Sequence, residues 1–184
     1  NLSSLPQSFE NLSSLKKLQI TSPIEDIECQ FTSIPEVIYN IPSLTSLYFS
    51  GIESNTTSVS ENISNLINLD TLSLASNQLS FIPSSIGDLN NLKYLSLYDN
   101  ELSSIPESIG ELNNLVKLGL GVNNLLTVPE SIGNLTALEI LWLNNNHLSY
   151  IPNTIGNLSN LTALTFASNQ LTSLPGNICD LPDN

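Results

Sequence analysis

Basic residues, sulfur-containing residues and histidine are all scarce in this chain of 184 residues. It has four lysines, no arginine, two cysteines, one histidine and no methionine, against 17 aspartates and glutamates. The formal net charge is therefore −13 and the isoelectric point lies near 4.1. Nucleic acids and anionic membrane surfaces are bound by clustered basic residues, so the composition argues against both as partners. Acidic and phosphate ligands are disfavoured for the same reason.

The single histidine, His147, limits the catalytic chemistry that the chain can carry. One imidazole cannot supply a two-histidine metal site, and no Ser/His/Asp or Cys/His arrangement can be assembled around it. The pair Gly119 and Gly121 lacks the third glycine and the helix start of a dinucleotide site. Carboxylates such as Asp99 and Glu101 are expected on an open surface, where no enclosed pocket raises a pKa for acid–base work. We predict a non-enzymatic protein with no cofactor and no metal.

Long apolar runs and paired cysteines are also missing. No stretch of about 18 apolar residues occurs, so no transmembrane segment is predicted. Cys29 and Cys179 stand near opposite ends of the chain, and the repeats between them would keep their sulfur atoms beyond disulfide distance. No loop has the Asp-x-Asp-x-Asp-Gly spacing of a calcium site. The acidity is best read as a solvated surface, with an acidic face for a basic partner or for calcium as the alternative.

What the chain does have is a repeat of 23 residues between Leu69 and Leu181. Each unit has a central leucine, an apolar residue two positions later and an asparagine five positions later. The central leucines are Leu72, Leu95, Leu118, Leu141 and Leu164, and the asparagines are Asn77, Asn100, Asn123, Asn146 and Asn169. A fixed period of this length predicts stacked coils that share one continuous core.

The unit from Asn91 to Asn113 reads NLKYLSLYDNELSSIPESIGELN, and the other units follow it closely. This pattern, LxxLxLxxNxLxxIPxxIGxLxx, resembles the leucine-rich repeat family over nearly the whole chain, and its subclass resembles the 23-residue repeats of Ras-suppressor and Scribble-type scaffolds. The resemblance implies an α/β solenoid of horseshoe shape. Its concave side would be a parallel sheet of about seven strands, and its convex side would consist of short helical or extended segments.

The residue pattern within one unit agrees with this fold. Leu95 and Leu97 alternate with polar or aromatic residues, so one face of the strand is core. The asparagine that follows can bond the backbone of a turning chain, and we read its column as structural. The segment from Ile105 to Gly110 predicts a short helical turn with Pro106 at its first position, and Glu107 follows where a helix start favours negative charge.

Counting backward in the same way adds strand centres at Leu18 and Leu47. The intervals Leu18–Leu47 and Leu47–Leu72 are 29 and 25 residues, so these coils carry six and two extra residues. We predict a single repeat domain over 1–184, irregular over 1–68 and regular over 69–184, that is part of a longer protein. The six-residue insertion, which contains Glu25, Asp26 and Glu28, is either a tolerated loop or a lip that contacts a partner.

The side chains on the concave face are free of core packing, and three columns of them can be read from the repeat. In the middle of the sheet, Tyr94 and Tyr98 on one strand and Trp142 two strands away would stand about 9.6 Å apart, twice the strand spacing. Two bare glycines lie between these aromatic walls. The predicted ligand-binding residues are Tyr94, Tyr98, Lys117, Gly119, Gly121, Ile140, Trp142, Asn144 and His147. The alternative is that Trp142 lies over the glycine strand to restore buried area.

The resemblance and the exposed aromatic residues predict a module that binds a protein or peptide on its concave face. A module that binds carbohydrate or inhibits a carbohydrate-active enzyme is one alternative, and an intracellular signalling scaffold is another. The chain has seven N-x-Ser/Thr sequons, of which Asn55 and Asn62 are the best glycosylation candidates because the others arise from the repeat itself. We expect an extracellular or cell-surface location, with the cytoplasm as the alternative.

Overall fold

The chain forms a solenoid with one parallel sheet along its concave side. The computed structural model describes residues 4–21, 31–51 and 56–181. Seven strands pair in chain order, each with the next. They are β1 Lys17–Thr21, β2 Ser46–Ser50, β3 Thr71–Ser73, β4 Tyr94–Ser96, β5 Lys117–Gly119, β6 Ile140–Trp142 and β7 Ala163–Thr165.

The register of the sheet aligns the central leucines. Leu18 pairs with Leu47, Leu47 with Leu72, and the same pairing continues through to Leu141 and Leu164. The fold class and the seven strand centres predicted from the sequence are thus confirmed. From Leu47 to Leu141 these leucines are fully buried, because each strand turns one face toward a single continuous core.

The asparagine column is structural, as predicted. In each regular coil the Nδ2 group of the asparagine donates to a carbonyl three residues earlier and to one in the preceding coil. For Asn123 these acceptors are Leu120 at 3.1 Å and Leu97 at 2.9 Å, while its Oδ1 accepts the amide of Leu102 at 3.0 Å. The column therefore satisfies buried backbone groups at the bend that follows each strand.

The convex side carries short 3-10 helices, each five residues long. Their bounds are Gln7–Asn11, Glu36–Asn40, Glu61–Asn65, Ser84–Asp88, Glu107–Glu111, Glu130–Asn134, Asn153–Asn157 and Gly176–Asp180. The prediction that proline occupies the first helical position is wrong by one residue. Pro106 is the N-cap, with φ −70° and ψ 151°, and its carbonyl accepts the first helical hydrogen bond from Ile109 at 3.1 Å. The proline ring fixes φ near this value, and the helix begins at Glu107.

The acidic residues at the helix starts also join successive coils. Glu61 Oε2 accepts the backbone amide of Ser85 at 3.1 Å, and Glu36 Oε2 accepts the side-chain amide of Asn62 at 2.9 Å. Asn62, one of the two favoured sequons, therefore already uses its amide group within the fold. The other, Asn55, lies outside the described residues.

One residue per regular coil adopts a left-handed backbone immediately before the ladder asparagine. These residues are Ser76, Asp99, Val122, Asn145 and Ser168, with φ between 53° and 58°, and Gly51 (φ 64°) is the corresponding residue of the β2 coil. Left-handed backbone is uncommon for residues other than glycine, asparagine and aspartate, and it is least favourable for β-branched side chains. Val122 is the one β-branched member of this column, which makes it a point of local strain.

The two insertions of the irregular coils fall largely outside the described residues. Glu25, Asp26, Glu28 and Cys29 are among these residues, as are residues 52–55 in the interval between Leu47 and Leu72 that carries two extra residues. Two contacts between described residues join these coils. Thr56 Oγ1 donates to the carbonyl of Phe31 at 2.8 Å, and Ser33 forms an isolated parallel β-bridge with Ser58. Cys179 is a free, exposed thiol. No helix in the described ranges is long and apolar enough to cross a membrane.

Candidate functional site

A depression lies on the concave face at the middle of the sheet, across β3 to β6. It has a volume of about 390 Å³. The residues that line this concave groove are Ser73, Ala75, Tyr94, Ser96, Tyr98, Gly119, Trp142 and Asn144. All of them occupy positions that alternate with the buried leucines, so the same period that builds the core also supplies the groove.

Three aromatic side chains form the walls of the groove. Tyr94 and Tyr98 come from the β4 coil and stand on either side of Ser96, while Trp142 ends β6. Tyr94 and Trp142 are half-buried, and Tyr98 is 44% exposed. Aromatic rings that remain accessible in a concave site are the side chains that most often anchor a ligand.

Small residues form the floor. Ser96 is only 6% exposed although it faces the concave side, and Gly119 is buried beside it. A β-carbon at Gly119 would stand 3.5 Å from Ser96 Oγ and 3.6 Å from Cε3 of Trp142. The indole therefore lies against the glycine, as the alternative interpretation of Trp142 expected. The ring nevertheless still lines the groove, so covering the glycine and contacting a ligand are compatible roles.

Asn144 is held at the edge of the groove by the neighbouring coil. Its Oδ1 accepts a hydrogen bond from Thr165 Oγ1 at 3.3 Å. The same side chain lies over Gly121, where Oδ1 would be 2.9 Å from an added β-carbon. The amide thus covers the second glycine and still presents polar atoms to the groove.

Five of the nine predicted site residues line the groove, and four do not. Lys117 and Ile140 pair in register at the first positions of β5 and β6, which places them at the rim beside Tyr94. Gly121 is beneath Asn144. His147 follows the ladder asparagine, and its Nδ1 lies 3.4 Å from Nε2 of Gln170 in the next coil. The structure does not bring His147 into the groove.

Three lining residues were missed by sequence reasoning. Ser73, Ala75 and Ser96 stand in the same outward columns as the predicted residues. They were not predicted because serine and alanine are small residues whose type alone does not indicate a binding site. The usable signal was the column itself, in which a small residue next to a large one creates a depression.

A second aromatic feature lies on the same face, nearer the N terminus. Lys17 on β1 places its Nζ 4.9 Å from the ring centroid of Tyr48 on β2. This distance is within the range of a cation–π interaction. Within the described ranges, no group of three or more histidine, cysteine, aspartate or glutamate residues is placed to hold a metal ion.

Comparison with known protein families identifies the fold. A family described as a leucine-rich repeat region matches residues 28–146, and a second, described as a leucine-rich repeat, matches residues 137–158. The chain belongs to the leucine-rich repeat family. The period of 23 residues, the asparagine ladder and the convex 3-10 helices are therefore leucine-rich repeat features.

Solved leucine-rich repeat structures superpose closely on this chain. A leucine-rich repeat protein of Leptospira interrogans is 31% identical with a TM-score of 0.89, over 98% of this chain and 44% of its own. An Arabidopsis thaliana structure is also 31% identical, with a TM-score of 0.80 over 98% of this chain and 22% of its own. It is the ectodomain of the plant membrane receptor kinase GASSHO1/SCHENGEN3 in complex with CASPARIAN STRIP INTEGRITY FACTOR 2.

A third structure shares the fold at lower identity. The internalin InlF of Listeria monocytogenes is 24% identical with a TM-score of 0.76, over 97% of this chain and 48% of its own. The leucine-rich repeat chain thus spans less than half the length of each of these three proteins. No curated protein matches it.

Proposed function

We propose that this leucine-rich repeat chain is a non-enzymatic module that binds an extended segment of a partner protein in the concave groove. The observation that carries the proposal is the set of three accessible aromatic rings, Tyr94, Tyr98 and Trp142, around one depression of about 390 Å³. A strand-like segment laid across successive coils would place side chains between these rings. Its contacts would bury the aromatic surface that the free protein leaves exposed.

Two further observations support a protein ligand. The receptor ectodomain of Arabidopsis thaliana, at 31% identity, was solved in complex with a factor that it binds. The groove itself is open to solvent and combines aromatic rings with neutral polar groups, which suits a peptide segment that makes both apolar contacts and hydrogen bonds. The same relative supports a location outside the cell as part of the proposal.

The test is selection of linear nine-residue peptides displayed in a random library, followed by affinity measurement on variants. Trp142→Ala is expected to weaken groove-directed peptides by about 30-fold or more, the level of an interface hot spot. Tyr98→Ala is expected to weaken them as well. Tyr150→Ala is the matched control, because Tyr150 is 50% exposed against 44% for Tyr98 but lies outside the groove. Peptides that bind all three variants equally would contradict the proposal.

A carbohydrate is the alternative ligand, since sugar rings also stack on aromatic faces. The aromatic walls are the one observation that favours it. A glycan array probed with the wild type and with Trp142→Ala separates the two ligand classes. Binding of the wild type to a glycan that Trp142→Ala does not bind would move the assignment from protein to carbohydrate. Absence of binding to every glycan on the array would support a protein ligand.

A further inference from the structure

The three rings of the concave groove surround a floor that carries no charge. Tyr94 and Tyr98 stand on either side of Ser96 along the chain, and Trp142 lies against Gly119 on the other side of the groove. None of the eight lining residues is acidic or basic. The walls present aromatic surface, while the serine hydroxyls and the Asn144 amide provide polar atoms. A side chain that enters this space meets aromatic rings and neutral polar groups, and none of the lining residues carries a formal charge.

Ring faces carry the negative part of an aromatic quadrupole, so they attract cations, and tryptophan does so most strongly. The concave face already holds one such pair. The ammonium of Lys17 lies 4.9 Å from the ring centroid of Tyr48, with the two residues on adjacent strands. A cation carried by one strand of this sheet can therefore lie over an aromatic ring on the adjacent strand.

The charge of the whole chain acts in the same direction. With 17 acidic and four basic residues, the long-range field favours approach of a positively charged group. Asp99 and Glu101 are both exposed and follow Tyr98 on the same coil. Lys117 opposes this attraction, but it sits at the other rim, in register with Tyr94, and does not line the groove.

We propose that the side chain seated between Tyr94, Tyr98 and Trp142 is a lysine or an arginine of the partner segment. This inference rests on the peptide-binding function proposed above and adds the chemistry of the anchor. The aliphatic stem would lie along the rings while the cationic head contacts their faces. Arginine has the additional option of stacking its planar guanidinium on the indole.

The experiment uses peptides selected on the wild-type chain that lose binding to Trp142→Ala. Among these groove-dependent peptides, lysine and arginine are expected to be enriched at one position. Replacing that residue by norleucine, which keeps the stem and removes the charge, is expected to weaken binding by roughly 10-fold, the order of a desolvated cation–π contact. Fluorescence polarisation of labelled peptides provides the affinities. The emission of Trp142, the only tryptophan, reports whether its ring is contacted.

Two tyrosine variants test the ring itself. Tyr98→Phe keeps the aromatic face and is expected to retain affinity within about threefold, whereas Tyr98→Leu keeps apolar bulk without the quadrupole and is expected to lose several-fold. Urea unfolding of each variant confirms that the fold is intact.

The outcomes separate this inference from the proposed function. Groove-dependent peptides in which norleucine binds as well as lysine, or better, would overturn the cationic anchor and leave peptide binding in place. Equal loss in Tyr98→Phe and Tyr98→Leu would also overturn it. A library that gives no peptide sensitive to Trp142→Ala would overturn the proposed function, and the inference with it.

Discussion

The indole of Trp142 lies against Gly119, with Cε3 at 3.6 Å from the position that a β-carbon on the glycine would occupy. Since 3.6 Å is an ordinary contact distance, the ring rests on the glycine without forcing it to stay bare. The floor of the concave groove is therefore covered by the same residue that forms one of its walls. A ligand contact at Trp142 and the packing of the central strands are thus linked.

A methyl group at Gly119 should be tolerated, whereas one on the convex side should not. We expect Gly119→Ala to leave the free energy of unfolding unchanged or raise it by up to about 1 kcal/mol, because alanine loses less conformational entropy in a strand. At Gly110 a β-carbon would stand 2.5 Å from the carbonyl oxygen of Ser131 in the next coil. Gly110→Ala should cost about 2–3 kcal/mol, since backbone must shift to make room. Urea unfolding compares the two, and equal effects would refute the argument from coil spacing.

Removing a ladder asparagine should destabilise the chain strongly. Asn123→Ala leaves the buried amide of Leu102 without its acceptor. It also removes one of the two side-chain donors to each of the carbonyls of Leu97 and Leu120, which keep their bonds from Asn100 and Asn146. The expected loss is about 2–4 kcal/mol, since the unpaired buried amide costs about 1–3 kcal/mol and each lost hydrogen bond to a carbonyl adds up to about 1 kcal/mol. Asn124→Ala, at the exposed neighbouring position, should change stability by less than about 0.5 kcal/mol. A small effect at Asn123 would show that water can replace the ladder.

The left-handed position offers a stabilising substitution. Val122 has φ 55°, and the corresponding residue of the next coil is Asn145 with the same φ. Asparagine tolerates this backbone far better than a β-branched residue. Val122→Asn is therefore expected to raise the free energy of unfolding by about 1 kcal/mol, and Asn145→Val to lower it by a similar amount. Thermal and urea unfolding measure both, and effects of the same sign would contradict the strain argument.

Alkaline pH should destabilise the protein through Tyr39. Burial raises the pKa of this phenol, whose oxygen accepts the amide of Ser60 at 3.3 Å. In the unfolded chain tyrosine ionises near pH 10. Above that pH the folded state therefore keeps the phenol proton of Tyr39, which the unfolded chain has lost. Its contribution to stability is complete below about pH 10 and falls by up to about 1.4 kcal/mol per pH unit above it.

The measurement is urea unfolding between pH 8 and pH 11 for the wild type and Tyr39→Phe. Phenylalanine has no proton to lose, so the variant should show a shallower fall in stability above pH 10. Tyr150→Phe, at an exposed position, is the control and should keep the wild-type slope. Identical slopes in all three proteins would contradict the assignment to Tyr39.

The repeat positions could be predicted from the sequence, whereas the exact helix boundary could not. The leucines and asparagines of the repeat were placed correctly because each has one physical role, burial or bonding of the bend, that recurs at a fixed interval. Pro106 was misplaced by one position because both a first helical residue and an N-cap suit its φ. The boundary was decided by which carbonyl accepts the first hydrogen bond.

The candidate groove was anticipated only in part, for a different reason. Tyr94, Tyr98 and Trp142 were found from their type and column, but His147 lies beside Gln170 and away from them. Ser73 and Ala75 line the groove without any distinctive chemistry. Whether a residue joins a depression depends on the sizes of its neighbours on adjacent strands, and a single unit of the repeat does not contain that information.

The sequence alone determined the solenoid, its period, the inward and outward faces of each strand and the acidity of the surface. These properties follow from local alternation and a constant interval, so the order of residues along the chain is sufficient to specify them. The tertiary structure decided that Trp142 leans on Gly119, that Asn144 covers Gly121 and that the groove closes around Ser96. Those relationships join coils 23 or more residues apart, and packing between side chains of unequal size sets them.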